Sequence, residues 1–179
     1  MEQRKLTFES RPENLILAEK LVDEVCTIYK VSEDYYGNIL IAVTEAVNNA
    51  INHGNKADEK KQVDVVFEKI NLNTITFTIR DQGPGFDPDS IPDPTAPENI
   101  EKPNGRGIFL MKQLSDTVKF NDKGREVVLF FNGELKPLGN FLQSKITVRH
   151  TVLLPKARQD FHALQFRRLS SQLKPGDQW

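Results

Sequence analysis

The hydrophobic pattern of this chain switches from a period of two residues to one of about 3.6 and back again, and the order of those switches limits the fold more than any single residue does. Residues 4–9 (Arg-Lys-Leu-Thr-Phe-Glu) alternate apolar and polar, as a short half-buried strand does. Ser10-Arg11-Pro12-Glu13 then carries helix-start chemistry: a Ser to cap, an early Pro, and a Glu three residues after the Ser. Leu15, Ala18, Leu21, Val22 and Val25 follow at helical spacing and give a first helix its core face. Ser32-Glu33-Asp34 opens a second helix, whose stripe is Tyr36, Ile39, Leu40, Val43, Val47, Ala50 and Ile51, with Gly54 as its expected stop.

The period returns to two over residues 63–70 and 74–79, separated by Asn71-Leu72-Asn73, which reads as a hairpin turn. Two glycines and a proline break the pattern at 81–86. Residues 87–104 then hold Pro88, Pro92, Pro94, Pro97 and Pro103, too many for a long helix. A short helix is predicted over 107–114 and strands over 117–121 and 126–131. The order β-α-α-β-β-loop-α-β-β predicts an α/β (α+β) two-layer sandwich with its helices on one face of a mixed sheet.

Charge marks a boundary near residues 132–135. Residues 132–179 hold eight Lys/Arg against three Asp/Glu, a net of +5, whereas residues 1–131 hold 16 against 22, a net of −6. The expected organisation is one domain over 1–131 and a basic extension over 132–179. That extension is either a packed or partly unstructured appendage or an arm that docks an acidic partner or a second copy. The whole-chain charge of −1 gives no reason to expect direct nucleic-acid binding or an anionic membrane. A single cysteine, Cys26, excludes an intramolecular disulfide and suits the cytoplasm. No apolar run approaches the roughly 20 residues of a membrane span, and the first residues lack a signal peptide's apolar core. A cytoplasmic location is expected.

Three segments carry possible chemistry. On the second helix Glu45, Asn49 and His53 fall four apart and share a face, flanked by Asn48 and Asn52. Asn is a poor helix former because its amide competes for backbone hydrogen bonds. The cluster is either a solvated polar face or a metal–nucleotide site. In the second reading an Asn amide oxygen ligates a magnesium ion and the carboxylate one turn away orients or deprotonates a hydroxyl. His53 is either part of that site or a cap at the helix end.

Asp81-Gln82-Gly83-Pro84-Gly85-Phe86 follows a strand directly. It is either a simple turn or a wall where a carboxylate accepts an exocyclic amine and Gly83 and Gly85 let backbone approach a base. It lacks the third glycine of a dinucleotide fingerprint, and there is no Walker lysine loop. Asn104-Gly105-Arg106-Gly107-Ile108-Phe109-Leu110-Met111 runs a glycine-rich turn into a helix, where free N–H groups attract phosphate. Arg106 is either an exposed cation or a charge stabiliser beside phosphates.

Together and in this order, the three segments resemble the N, G1 and G2 boxes of the GHKL (Bergerat-fold) ATPases over about residues 4–131. Ser10-Arg11-Pro12-Glu13-Asn14-Leu15 and Gly105-Arg106-Gly107-Ile108-Phe109-Leu110-Met111 are most similar to the anti-sigma-factor serine/threonine kinases. The resemblance implies a mainly antiparallel sheet, ATP and Mg²⁺ as cofactors, Glu45 as catalytic base and Asn49 as metal ligand. It further implies that Asp81 contacts the adenine amine, Gly83 and Gly85 shape that wall, and Gly105 and Gly107 close over the phosphates. Residues 87–104 would form a lid. The implied partners are an anti-sigma-factor antagonist as substrate and a sigma factor as regulated client. Two alternatives stand beside the kinase: a nucleotide-gated binding switch without useful phosphotransfer, and the catalytic module of a histidine-kinase-like system. Against the latter, no helix bearing a phosphoacceptor His is expected ahead of the domain.

Overall fold

The computed structural model describes residues 2–90 and 106–133. Most of the proline-rich segment, Gly105 and nearly all of the basic extension lie outside the described residues. The element order is β1 (Glu2–Glu9), α1 (Leu15–Ile28), α2 (Glu33–Asn49), β2 (Gln62–Lys69), β3 (Thr74–Arg80), α3 (Arg106–Leu114), β4 (Thr117–Asn121) and β5 (Glu126–Asn132). Short 3-10 turns at Pro12–Asn14, Pro88–Ser90 and Asp122–Gly124 link them.

The five strands lie in the order β1-β2-β3-β5-β4. Every pairing is antiparallel, so the sheet expected to be mixed and mainly antiparallel is antiparallel throughout. The Asn71-Leu72-Asn73 hairpin forms as expected: Ile70 N–H donates to Thr74 O at 3.0 Å and Asn73 N–H to the Asn71 side chain at 2.8 Å.

Alternation fixes which face each strand buries. Val63, Val65 and Phe67 of β2, Ile75, Phe77 and Ile79 of β3, and Val127, Leu129 and Phe131 of β5 are all buried against the helices. Their aromatic members form a row across the core, with ring centroids 5.7 Å apart for Tyr29–Phe67, 5.4 Å for Phe67–Phe77 and 6.2 Å for Phe77–Phe131. α1 seals this layer with Leu21, Val22 and Val25, and α2 with Ile39, Val43 and Val47. The residues at alternate positions pair with charge instead. Lys5 Nζ lies 3.0 Å from Asp64 Oδ2, and Arg80 pairs with Glu126.

One local expectation needs correction. Ser10 caps nothing: its N–H continues the β1–β2 ladder to Lys61 O at 2.9 Å, and its buried Oγ has no partner. The Asn14 side chain ties the helix entry instead, donating to Glu9 O at 2.9 Å. Ser32 opens α2 as expected, through its backbone: its carbonyl accepts the Tyr35 and Tyr36 N–H groups at 3.1 and 2.8 Å. Gly54 is the last helical residue, as expected, although it does not adopt a left-handed conformation. The helix runs on through a π turn, Ala50–Gly54, and the residue beyond it, Asn55, has φ −83°. Among the described residues, no helix is long and apolar enough to cross a membrane.

Candidate functional site

The polar cluster on α2 divides in two. Asn48 and Asn52 are exposed and bond to each other, Asn52 Nδ2 donating to Asn48 Oδ1 at 2.7 Å, so a solvated face accounts for them. Glu45 and Asn49 are half-buried and meet the first turn of α3. A Cβ placed on Gly107 would stand 2.8 Å from Glu45 Oε2 and 3.0 Å from Asn49 Nδ2. Glycine at this position is what lets the N-terminus of α3 close on a carboxylate and an amide together. Burial raises the Glu45 carboxyl above its ordinary value, which brings a base closer to neutrality.

The second wall comes from the end of β3. A Cβ on Gly54 would stand 2.4 Å from Asp81 Cγ, and one on Gly83 would stand 2.0 Å from Gly54 O. Both glycines therefore exist so that the Asp81 carboxylate and its loop can lie against the last turn of α2. Gly83 N–H donates to Asp81 Oδ1 at 2.7 Å. Burial pushes the Asp81 carboxyl up, opposed by that N–H and by the charges of Arg125 and Lys61.

Two further glycines lock this loop to the β4–β5 turn. Gly85 has φ +79° and would place a Cβ 2.2 Å from Lys123 O; Gly124 has φ +81° and would place one 2.5 Å from Phe86 O. Both conformations favour glycine on φ alone. Phe86 N–H donates to Lys123 O at 2.8 Å and Asp81 N–H to Arg125 O at 3.0 Å. From the other side Asn55, fully buried, donates through Nδ2 to Gln62 O at 3.0 Å and accepts Gln82 N–H at 2.9 Å. One side chain thus holds the end of α2, the start of β2 and the Asp81 loop together.

These walls enclose a cavity of about 410 Å³, within the range of small-molecule sites. Its polar lining includes Asn49, His53, Asp81 and Arg125, with Gly85 and Gly107 opening it to backbone. Ile79, Met111, Phe120 and Val127 supply apolar surface. Phe86 is 41% exposed at the rim and meets Phe120 edge-on at 5.7 Å. A flat heterocycle fits apolar walls with one acceptor carboxylate, and an anion fits the N–H groups of α3's first turn.

Of the residues singled out from sequence, Asn49, Asp81, Gly85 and Gly107 line the cavity, Glu45 stands beside Gly107 without lining it, and Gly83 stands behind Asp81. Arg106 is exposed at the start of α3, and Gly105 lies outside the described residues. His53 also lines the cavity. Asn55, Gly124 and Arg125 were not singled out from sequence, and Gly54 only as the stop of α2. Gly124 follows Asp122-Lys123 between two strands and could have been found as turn chemistry. Nothing in the pattern marks Asn55 or Arg125. Among the described residues no group of three His, Cys, Asp or Glu could hold a metal. A cation held largely by a ligand's own phosphate oxygens, as magnesium often is, needs only one or two protein oxygens and no such cluster.

Residues 8–131 match the histidine kinase-like ATPase domain family. A serine-protein kinase RsbW from Oceanobacillus iheyensis is 30% identical over 125 residues, covering 66% of this chain and 78% of the relative. An anti-sigma F factor from Clostridium perfringens is 28% identical over 132 residues, covering 70% of this chain and 92% of the relative. A serine-protein kinase RsbW from Bacillus licheniformis is 29% identical over 147 residues, covering 75% and 89%.

Proposed function

The chain belongs to the family of histidine kinase-like ATPase domains, and from that premise we propose that it is an ATP-dependent protein serine/threonine kinase of the anti-sigma-factor type. Its substrate is a Ser or Thr of an antagonist protein, and its regulated client is a sigma factor that it sequesters. The relatives' names, serine-protein kinase and anti-sigma F factor, support both halves of that reading.

The observation that carries the kinase reading is the meeting of Glu45 and Asn49 at Gly107. Phosphoryl transfer needs little covalent help from protein; it needs positioning and charge neutralisation. Glu45 accepts the proton of the attacking hydroxyl, a role that its burial-raised carboxyl suits. Asn49 offers its amide oxygen to Mg²⁺, which when bound neutralises phosphate charge and aligns the transferring group. The N–H groups opening α3 receive phosphate oxygens, with Arg106 beside them. Asp81 accepts the adenine amine while Gly83 and Gly85 keep the wall thin.

The test is transfer of labelled phosphate from ATP to candidate antagonist proteins. Glu45→Gln is expected to keep ATP affinity and lose about 10²–10⁴-fold in transfer rate. Transfer at the parental rate would remove Glu45 as the base. A parental protein that binds ATP and a sigma factor yet phosphorylates no antagonist would leave a nucleotide-gated switch in place of a kinase.

A further inference from the structure

α3 is weakly rooted by itself. Its 9 residues are fewer than a helix needs to stand alone in water, and among them only Met111 is buried. It packs chiefly against α2. The two helices run antiparallel: Gly107 at the start of α3 meets Glu45 and Asn49, and Asp116, just past its end, meets Tyr35 in the first turn of α2. At that far end Tyr35 Oη donates to Asp116 Oδ2 at 2.6 Å and to Asn132 O at 2.5 Å, one proton shared between two acceptors. The same Asp116 oxygen accepts Asn132 N–H at 2.7 Å, and Asp116 N–H donates to Phe130 O at 3.0 Å. The Tyr35 ring meets Phe131 edge-on at 6.3 Å, and a Cβ on Gly133 would stand 3.1 Å from its Cε1. One hydroxyl thus joins α2, the end of α3 and β5.

We propose that Tyr35 is a positioning residue for the phosphate end of the nucleotide site: by fixing the far end of α3 to α2 and β5, it aims the N-terminus of α3 at Glu45 and Asn49. This rests on the reading of the cavity as a nucleotide site. Tyr35 itself touches no ligand, because Glu45 lies ten residues further along the same helix, about 15 Å away. α3 is the lever between them, about 14 Å long. Hydrogen bonds weaken steeply as donor and acceptor leave alignment. A short helix turning about its one buried side chain, Met111, therefore moves its first N–H groups away from a phosphate. The Asp81 wall rests on other supports, Asn55, Gly54 and the β4–β5 turn. Loss of the hydroxyl should thus be felt at the phosphate end of a ligand and not at the base. A carboxylate acceptor makes the bond one of the stronger class.

The experiment is calorimetric titration of the full-length protein with Mg–ATP and, separately, with adenosine, which carries base and sugar but no phosphate. Parent, Tyr35→Phe, Asp116→Ala, Asp116→Asn and Tyr35→Phe with Asp116→Ala are compared. Tyr35→Phe keeps the ring on Phe131 and removes only the hydroxyl. The expected result for Tyr35→Phe is a fall of about three- to tenfold in Mg–ATP affinity, the worth of one such bond, with adenosine affinity unchanged. Asp116→Asn, whose amide oxygen can accept both bonds, should stay near the parental affinity. The double variant should bind Mg–ATP no more weakly than Asp116→Ala alone, because the two groups act as one. Equal losses for both ligands, or no loss for Mg–ATP, mean that the hydroxyl serves the fold alone; either overturns the inference and leaves the nucleotide site standing. Losses that add in the double variant separate Tyr35 from Asp116 and also overturn it. A parent that binds neither ligand removes the nucleotide reading, and the inference falls with it.

Discussion

At the scale of single residues, the site is built from missing side chains as much as from present ones. Gly54→Ala and Gly107→Ala look alike in sequence and should behave differently. The Gly54 Cβ would strike the Asp81 carboxylate, which Gly83 and its loop hold from behind, whereas the Gly107 Cβ would meet the ends of two α2 side chains that can turn aside. Gly54→Ala should therefore lower both the melting temperature and ATP affinity, while Gly107→Ala should keep the fold and lose phosphate binding; paired thermal melts with and without Mg–ATP separate them. Asp81→Asn makes the opposite bargain. Because the folded carboxyl is raised, its contribution to stability is whole below the unfolded pKa and disappears as pH rises through the folded one. At neutral pH the nucleotide-free Asp81→Asn protein should thus melt at or above the parental temperature, with the advantage vanishing near pH 3, yet bind ATP about 1–3 kcal/mol more weakly. Asn49 was legible because Asn is odd in a helix interior, and Asp81 and Gly107 through the order of their segments, since each alone suits an ordinary turn or helix entry. Gly54 was legible only as a stop, since the contact that requires it comes from a residue 27 positions away.

At the scale of elements, periodicity identified each helix and strand, because one buried face per element leaves a regular imprint on sequence. What it could not give was pairing. Whether β5 joins β3 or the far edge depends on contacts that no local pattern records, and Asn55 is the same problem in miniature. Its side chain looks like a loop amide in sequence and serves as the joint of α2, β2 and the Asp81 loop in the fold. Asn55→Ala should remove the bonds to the Gln62 carbonyl and the Gln82 N–H, both on exposed residues that water can reach, and leave a small void where the fully buried amide stood, costing about 1–3 kcal/mol in all. Urea unfolding should show a midpoint shift with little change in slope. ATP affinity should fall with it, because Gln82 neighbours Asp81; unchanged stability would mean that solvent substitutes for the joint.

For the whole molecule, the charge step near residue 132 was plain in sequence, and it coincides with the end of β5 at Asn132. The described residues already hold a buried core and the cavity, so a protein ending at residue 134 should fold and melt cooperatively, at a higher temperature with Mg–ATP. An insoluble or non-cooperative product would assign residues 135–179 to the core itself. The position of β5 has a separate consequence for how the protein is made. β3 acquires its second partner only when residues 126–132 exist, after the whole of 81–125 has left the ribosome. Until then the nascent chain presents β3 with one side unzipped, an open edge that recruits other chains. The same late strand brings Val127 and, from the turn before it, Arg125 to the cavity. A ligand of this cavity would therefore stabilise only chains in which β5 has already docked, and gives no protection to the open edge of β3 before then.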